Sequence, residues 1–297
     1  MSFFLFPGQG SQTPGMGQDF YESSPAARGI LERAAALAPV GFLGAIFHGT
    51  PEQLKDTRLA QTALLAVEVA VAQHLEAAGC RPAGCAGHSL GEFSALVAAG
   101  AAAFEPVFRL ADVRARLMAE NVPEGGMAAV IGLPPSDIEA ALPADVQVAN
   151  YNGPQQTIIS GGLAGLEEAE RRLKEAGARR LIRLAVSGPF HSVLMAKAAS
   201  RFRDELDKME LKPPRIRYIS SVSAEEVRDP DEIRRLLGEQ MLSPVRWTDV
   251  MGRIGPVPAV EVGPGRVLQG LAKRMDGAPA VELAGTVEAA NALLALG

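Results

Sequence analysis

Ser89 stands between two glycines in Gly87-His88-Ser89-Leu90-Gly91, after a short apolar stretch and before an alanine-rich one. A serine held at a sharp strand-to-helix turn, where missing Cβ atoms let the two elements approach, is thrust outward as a nucleophile. Glycine makes up 31 of 297 residues, so the pattern by itself is weak. Its weight comes from the strand, turn and helix around it. A serine hydroxyl also needs a base near neutral pH. Four histidines are available: His48, His74, His88 and His191. His74 falls in a helical stretch and reads as a packing or surface residue, and His48 lies in a loop with nothing to tie it to Ser89. His88 is adjacent to the serine, and neighbours in a tight turn project apart. His191 lies downstream of the serine, the order elbow enzymes use, and is the expected base. Asp112, Asp137 and Asp145 lie between the two, but none falls at a strand end facing the elbow. The partner that orients the base is therefore expected to be something other than a carboxylate.

Arg114 is the second residue with chemical content. Val107, Leu110, Ala111, Leu117 and Met118 make one apolar face of a helix expected over 105–121, and Arg114 falls on that stripe. An unpaired buried charge is costly, so such an arginine needs a partner. The partner is either internal, with the guanidinium in a salt bridge or snorkelling to the rim, or a substrate carboxylate gripped by two parallel hydrogen bonds. Gly8-Gln9-Gly10 lacks the Lys-Ser/Thr of a phosphate loop and, with Thr13, fails Gly-x-Gly-x-x-Gly. It is either an ordinary strand-end turn or a loop whose backbone N–H, with that of Leu90, forms an oxyanion hole.

Elements that would position these residues can be traced along the chain. A buried strand is expected at 2–6, a helix from Pro25, capped by Ser24, to about Leu37, and a helix over 61–78 ended by Gly79. The elbow strand is 84–86. After Pro123-Glu124-Gly125-Gly126 the rhythm changes: strand 127–133, a short helix 136–142 capped by Ser136, strands 146–151 and 156–160, helix 163–176 and strand 180–186. That βαββαβ order is the ferredoxin-like signature. Beyond Gly188-Pro189 follow helix 193–209, strand 216–220, helix 231–241, strand 259–262 and another helix. The expected fold is α/β: a large domain with a mostly parallel sheet over 1–125 and 188–297, and an inserted ferredoxin-like domain over 126–187.

Hydrophobic residues form 47% of the chain and charged ones 21%, as in ordinary globular proteins. A net charge of −5 argues against nucleic acid as a general partner. No metal is expected, because Cys80 and Cys85 match no zinc spacing and read as small buried residues. Pro7 and Gly8 interrupt the apolar start, and the apolar run 93–104 is too short to span a bilayer. The expectation is a cytoplasmic protein with neither signal peptide nor membrane contact.

Phe6-Pro7-Gly8-Gln9-Gly10-Ser11-Gln12, Gly87-His88-Ser89-Leu90-Gly91-Glu92, Pro189-Phe190-His191-Ser192, Gln240 before Pro244-Val245-Arg246-Trp247, and Glu261-Val262-Gly263-Pro264-Gly265 occur in this order over nearly the whole chain. Together they resemble the malonyl-CoA:acyl carrier protein transacylases of bacterial fatty acid synthesis. The resemblance implies an α/β-hydrolase-like large domain carrying the ferredoxin-like one. It implies a ping-pong reaction in which malonyl-CoA acylates Ser89 and the phosphopantetheine thiol of holo acyl carrier protein collects the malonyl group. By the same resemblance His191 is the base, oriented by the backbone carbonyl of Gln240. Arg114 holds the malonyl carboxylate, Gln9 and Leu90 bind the oxyanion, and Gln61 and Asn150 line the pocket. Thr62 stands where family members often carry Pro. Phe190 would crowd the acyl α-carbon and favour malonyl over methylmalonyl, as a Phe does there in related polyketide acyltransferases. No cofactor is implied, since CoA and phosphopantetheine enter as parts of substrates, and the chain is expected to act as a monomer. Arg171, Arg172, Lys174, Arg179, Arg180, Arg183, Lys197, Arg201 and Arg203 are either a solvated face or a dock for the acidic carrier. A serine thioesterase or esterase with the same Ser–His pair is the rival reading, and a non-catalytic scaffold a second.

Overall fold

The computed structural model of the chain describes residues 2–120 and 122–296. Nine strands are present among them: β1 (Phe3–Phe6), β2 (Gly84–Gly87), β3 (Gly126–Ile131), β4 (Val146–Gly153), β5 (Gln156–Gly161), β6 (Arg180–Arg183), β7 (Arg217–Ile219), β8 (Ala259–Glu261) and β9 (Val281–Leu283). They form a five-stranded parallel sheet in the order β7-β2-β1-β8-β9, and a four-stranded antiparallel sheet in the order β4-β5-β3-β6. The architecture is mixed α/β.

Four consecutive apolar residues make β1 because both faces of a parallel sheet are covered. Phe4 and Phe6 point into the larger core cluster, while Phe3 and Leu5 point into a second cluster around Trp247 and Leu268. The helix Thr57–Ala77 packs on the first face with Leu64, Leu65 and Val71, beside the helices Pro25–Leu37 and Phe104–Ala119. The antiparallel sheet has a separate core of Val130, Ile138, Ile159, Leu166 and Leu173.

Most expected elements occur within two residues of their expected ends, including the Ser24 cap, whose Oγ accepts from the Ala27 N–H. The differences have local causes. The helix before β2 begins at Thr57 rather than Gln61, because Asp56 caps it by accepting from the Arg58 N–H. Ser136 does not cap the short helix Pro135–Ala141, whose N-cap is Pro134. Residues 193–209 divide into a 3₁₀ turn (Val193–Met195) and the helix Ala196–Leu206. Strand β9 is too short to carry a clear sequence signal, whereas the helix Trp247–Ile254, not among the expected elements, does carry one in the helical spacing of Trp247, Val250, Met251 and Ile254. Asn121, placed at the end of an expected helix, lies outside the described residues. No helix among the described residues is long and apolar enough to cross a membrane.

Candidate active site

In a parallel sheet the strand ends share one edge, and the loops leaving them meet there. Pairing of Phe6 with Gly87 sets the Gly8–Gly10 loop after β1 beside the elbow after β2. Ser89 has φ +52°, left-handed backbone that is strained for a residue with a Cβ. A Cβ on Gly87 would collide with the backbone of Gly91 and Glu92, and one on Gly91 with the carbonyls of Phe6 and Pro7. The glycines thus let the helix Gly91–Ala98 leave the strand end at once, with Ser89 at the apex.

His191 meets Ser89 across 102 residues of sequence, with Ser89 Oγ 2.9 Å from His191 Nε2. His191 is buried and has φ +57°, a second strained position. Its Nδ1 faces the backbone carbonyl oxygens of Gln240 at 2.9 Å and Ser243 at 3.0 Å. Two acceptors there require Nδ1 to carry the proton, so Nε2 is left to accept from the serine hydroxyl. Burial, with the nearby Arg114 charge, lowers the His191 pKa to about 4. The ring is therefore neutral near pH 7, as a base must be. Asp112 pairs instead with Arg116, and no carboxylate hydrogen-bonds to His191 among the described residues. Ser243 was not foreseen; a carbonyl acceptor carries no side-chain signal.

Arg114 is buried on its helix, as the stripe required. Its Nη1 donates to Gln61 Oε1 at 2.7 Å, and its Nη2 to Gln240 Oε1 at 2.9 Å and Ser89 Oγ at 3.2 Å. The guanidinium also lies over the Phe93 ring, 5.5 Å from its centroid. Burial lowers its pKa to about 10, so it stays charged near pH 7. Among the described residues it forms no salt bridge, and its Nε has no hydrogen-bond partner. An internal ion pair and a snorkelling side chain are both excluded. What remains is a buried cation, hydrogen-bonded to neutral groups and 3.2 Å from Ser89 Oγ, with donor capacity unfilled.

The backbone N–H groups of Gln9 and Leu90 donate to no protein acceptor among the described residues. The Gln9 side chain donates to Thr57 Oγ1 at 3.2 Å, and that hydroxyl lies 3.0 Å from Ser187 Oγ. The loop is thereby tied to the segment leading to His191. Gln61 is buried and braces Arg114 directly; Thr62 keeps its place in the same helix, its hydroxyl donating to the Arg58 and Leu59 carbonyls. Asn150 is buried in β4, but no hydrogen bond joins its side chain to Ser89, His191 or Arg114. Its backbone instead bridges to Val245. Phe190 is buried in the main cluster immediately before His191. His88, set aside as the base, turns its Nε2 to Asn152 Oδ1 at 2.8 Å, while His74 meets Ser24.

The sequence matches the acyl transferase domain family over residues 3–289. The malonyl CoA-acyl carrier protein transacylase of Bacillus subtilis is 42% identical over 287 residues, covering 92% of this chain and 90% of the relative. That of Escherichia coli K12 is 40% identical over 283 residues, with 92% of each covered. The chain belongs to the malonyl-CoA:acyl carrier protein transacylase family. Solved members superpose closely. The acyl-carrier-protein S-malonyltransferase of Bartonella henselae has a TM-score of 0.94 at 38% identity, covering 100% of this chain and 99% of that one. A malonyl-transacylase in complex with a type II polyketide synthase acyl-carrier protein reaches 0.95 at 34% identity, with both chains fully covered.

The cationic cluster is partly occupied within the protein. Arg171 and Arg172 pair with Glu168, Arg171 also with Glu175, and Arg183 with Glu170. Arg203 donates to the Gly238 carbonyl. Lys174, Arg179, Arg180, Lys197 and Arg201 form no ion pair among the described residues.

Proposed function

We propose that this chain transfers the malonyl group of malonyl-CoA to the phosphopantetheine thiol of acyl carrier protein through an ester on Ser89. Ser89 Oγ attacks the thioester carbonyl as its proton passes to His191 Nε2. The developing oxyanion accepts hydrogen bonds from the free N–H groups of Gln9 and Leu90. The C–S bond breaks, and the CoA sulfur takes the proton back from His191. In the second half the carrier thiol gives its proton to Nε2 and attacks the ester, and Ser89 Oγ leaves with that proton. The carbonyls of Gln240 and Ser243 hold the ring in the tautomer both halves need. The reaction draws only on groups of this chain and of its two substrates.

The observation that carries this reading is Arg114, a buried guanidinium beside the nucleophile with no carboxylate of its own. A malonyl carboxylate supplies an anion in direct contact, whereas an acetyl group leaves the guanidinium without one. Gln61 and Gln240 hold the guanidinium in place, while Asn150 and Phe190 line the acyl cavity. We also read the parallel sheet as the centre of a hydrolase-like domain over 1–125 and 188–297. The strand order β4-β5-β3-β6 supports a ferredoxin-like inserted domain over 126–187. Unpaired cations beside the site, Lys197 and Arg201 among them, receive the acidic carrier, and one chain holds a complete site.

The test is mass spectrometry after brief exposure to malonyl-CoA. The wild type gains one malonyl group on Ser89. Ser89→Ala gains none, and Arg114→Ala loads malonyl at least about a hundredfold more slowly, as loss of a charged hydrogen-bonding partner predicts. A wild type left unlabelled, or label on another residue, overturns the reading.

A further inference from the structure

Glu92 is a fully buried carboxylate in the first turn of the helix after the elbow, and no step above uses it. Its Oε1 accepts from the Tyr218 hydroxyl at 2.8 Å and the Ser221 backbone N–H at 3.2 Å. Its Oε2 accepts from the Ser221 hydroxyl at 2.6 Å and Gln240 Nε2 at 2.7 Å. Those donors come from β7, the turn after it and the end of the helix Pro230–Glu239. Polar oxygens buried this deeply need such a complete shell of donors.

The consequence lies at Gln240. Its Nε2 is committed to Glu92 and to the Ser89 carbonyl at 3.1 Å, which leaves Oε1 to accept from Arg114. A guanidinium has donors only, so the amide must present its oxygen there. We propose that Glu92 is a positioning residue for acyl recognition: it fixes the Gln240 amide so that its oxygen holds Arg114 ready for the acyl carboxylate. The inference rests on the reading that Arg114 receives that carboxylate.

The acceptor capacity of both Glu92 oxygens, rather than the side chain's shape, matters. In Glu92→Gln the Ser221 N–H is an obligatory donor and keeps the new amide oxygen at the Oε1 end. The new NH₂ then occupies the Oε2 end, which the Ser221 hydroxyl tolerates by rotating to accept. Gln240 has no such freedom: it relieves the donor–donor contact only by flipping, which turns its own NH₂ onto Arg114. An almost isosteric change thereby reverses polarity at the guanidinium.

The test loads wild type and Glu92→Gln with malonyl-CoA or acetyl-CoA and measures both Ser89 esters by mass spectrometry, alongside thermal denaturation. The malonyl-to-acetyl loading ratio is expected to fall at least about tenfold, with KM for malonyl-CoA raised. An unchanged ratio overturns the proposal, and so does an equal loss of both reactions, which is what a purely structural role gives. Should Glu92→Gln fail to fold, Gln240→Met removes the amide while keeping the backbone carbonyl for His191. The same fall in ratio is expected, and an undiminished ratio overturns the relay. A wild type that never loads malonyl removes the functional reading and this inference together. A wild type that loads it, with variants that keep its selectivity, removes this inference alone.

Discussion

His191, the proposed base, is held ready by two opposing influences. Burial and the Arg114 charge favour its neutral form, while the carbonyls of Gln240 and Ser243 favour the protonated one. Burial dominates, so the pKa falls from 6.5 to about 4. Reaction of Ser89 with a neutral sulfonyl fluoride, which carries no titrating group of its own, should rise with pH around a midpoint near 4 and stay flat through neutrality. Arg114→Ala should move that midpoint upward. A wild-type midpoint near 6.5 contradicts the account. The same shift bears on stability: between pH 6.5 and 4 the unfolded chain binds a proton at this histidine that the folded one refuses. Stability therefore falls as pH drops through that window, by up to about 3 kcal/mol from this group. Specificity belongs to this scale too. On the proposed reading Phe190 crowds the acyl α-carbon, so malonyl-CoA should be used at least about tenfold better than methylmalonyl-CoA, since one methyl group is worth about 1–3 kcal/mol in a tight pocket. Comparable kcat/KM for the two thioesters removes that role.

At the scale of elements, the elbow is the most demanding local structure. A Cβ at Gly91 meets backbone carbonyls of a neighbouring strand end, which cannot step aside as a side chain can. Gly91→Ala should cost about 3 kcal/mol or more and abolish acylation with it. Ser24→Ala removes one hydrogen bond at a helix cap far from Ser89 and should cost about 1 kcal/mol with acylation kept. Thermal denaturation of the two variants separates them, and equal losses would contradict the steric argument. Much at this scale was legible in the sequence. The elbow, the Ser24 cap, the stripe carrying Arg114 and the βαββαβ order each rest on spacings within one element or between neighbours. The helix Trp247–Ile254 was legible too, since Trp247, Val250, Met251 and Ile254 fall at helical spacing, although it was not among the expected elements; what no spacing tells is that Trp247 packs into the cluster behind Phe3 and Leu5.

Across the whole molecule, the two sheets are joined at the site. Val245 exchanges backbone hydrogen bonds with β4 at Ala149 and Tyr151, Asn152 meets His88, and Thr57 meets Ser187. Those contacts fall on or near residues adjacent to Ser89 and His191, so both sheets border the site, and on the proposed reading a carrier delivering a long thiol arm docks beside that junction. Lys197 and Arg201 stand on the helix that follows His191, free of internal partners among the described residues. Reversal of both charges to Glu should raise the carrier's KM about tenfold or more and leave Ser89 loading from malonyl-CoA unchanged. An unaltered carrier KM moves the dock elsewhere, for instance to Lys174, Arg179 and Arg180 on the inserted unit.

The amino-acid order alone singled out Ser89, its turn, the stripe that buries Arg114 and the alternation of strands and helices, because each depends on neighbours a few residues apart. His191 could be ranked above three other histidines by chain order, but its contact with Ser89 spans 102 residues. Only the folded chain decided that no carboxylate pairs with Arg114 among the described residues and that two main-chain carbonyls face the imidazole Nδ1. It alone revealed that Glu92 holds Gln240 from 148 residues away. The physical reason is that main-chain carbonyls look alike in every residue, and an amide's polarity is set by whichever groups the fold brings to its two ends.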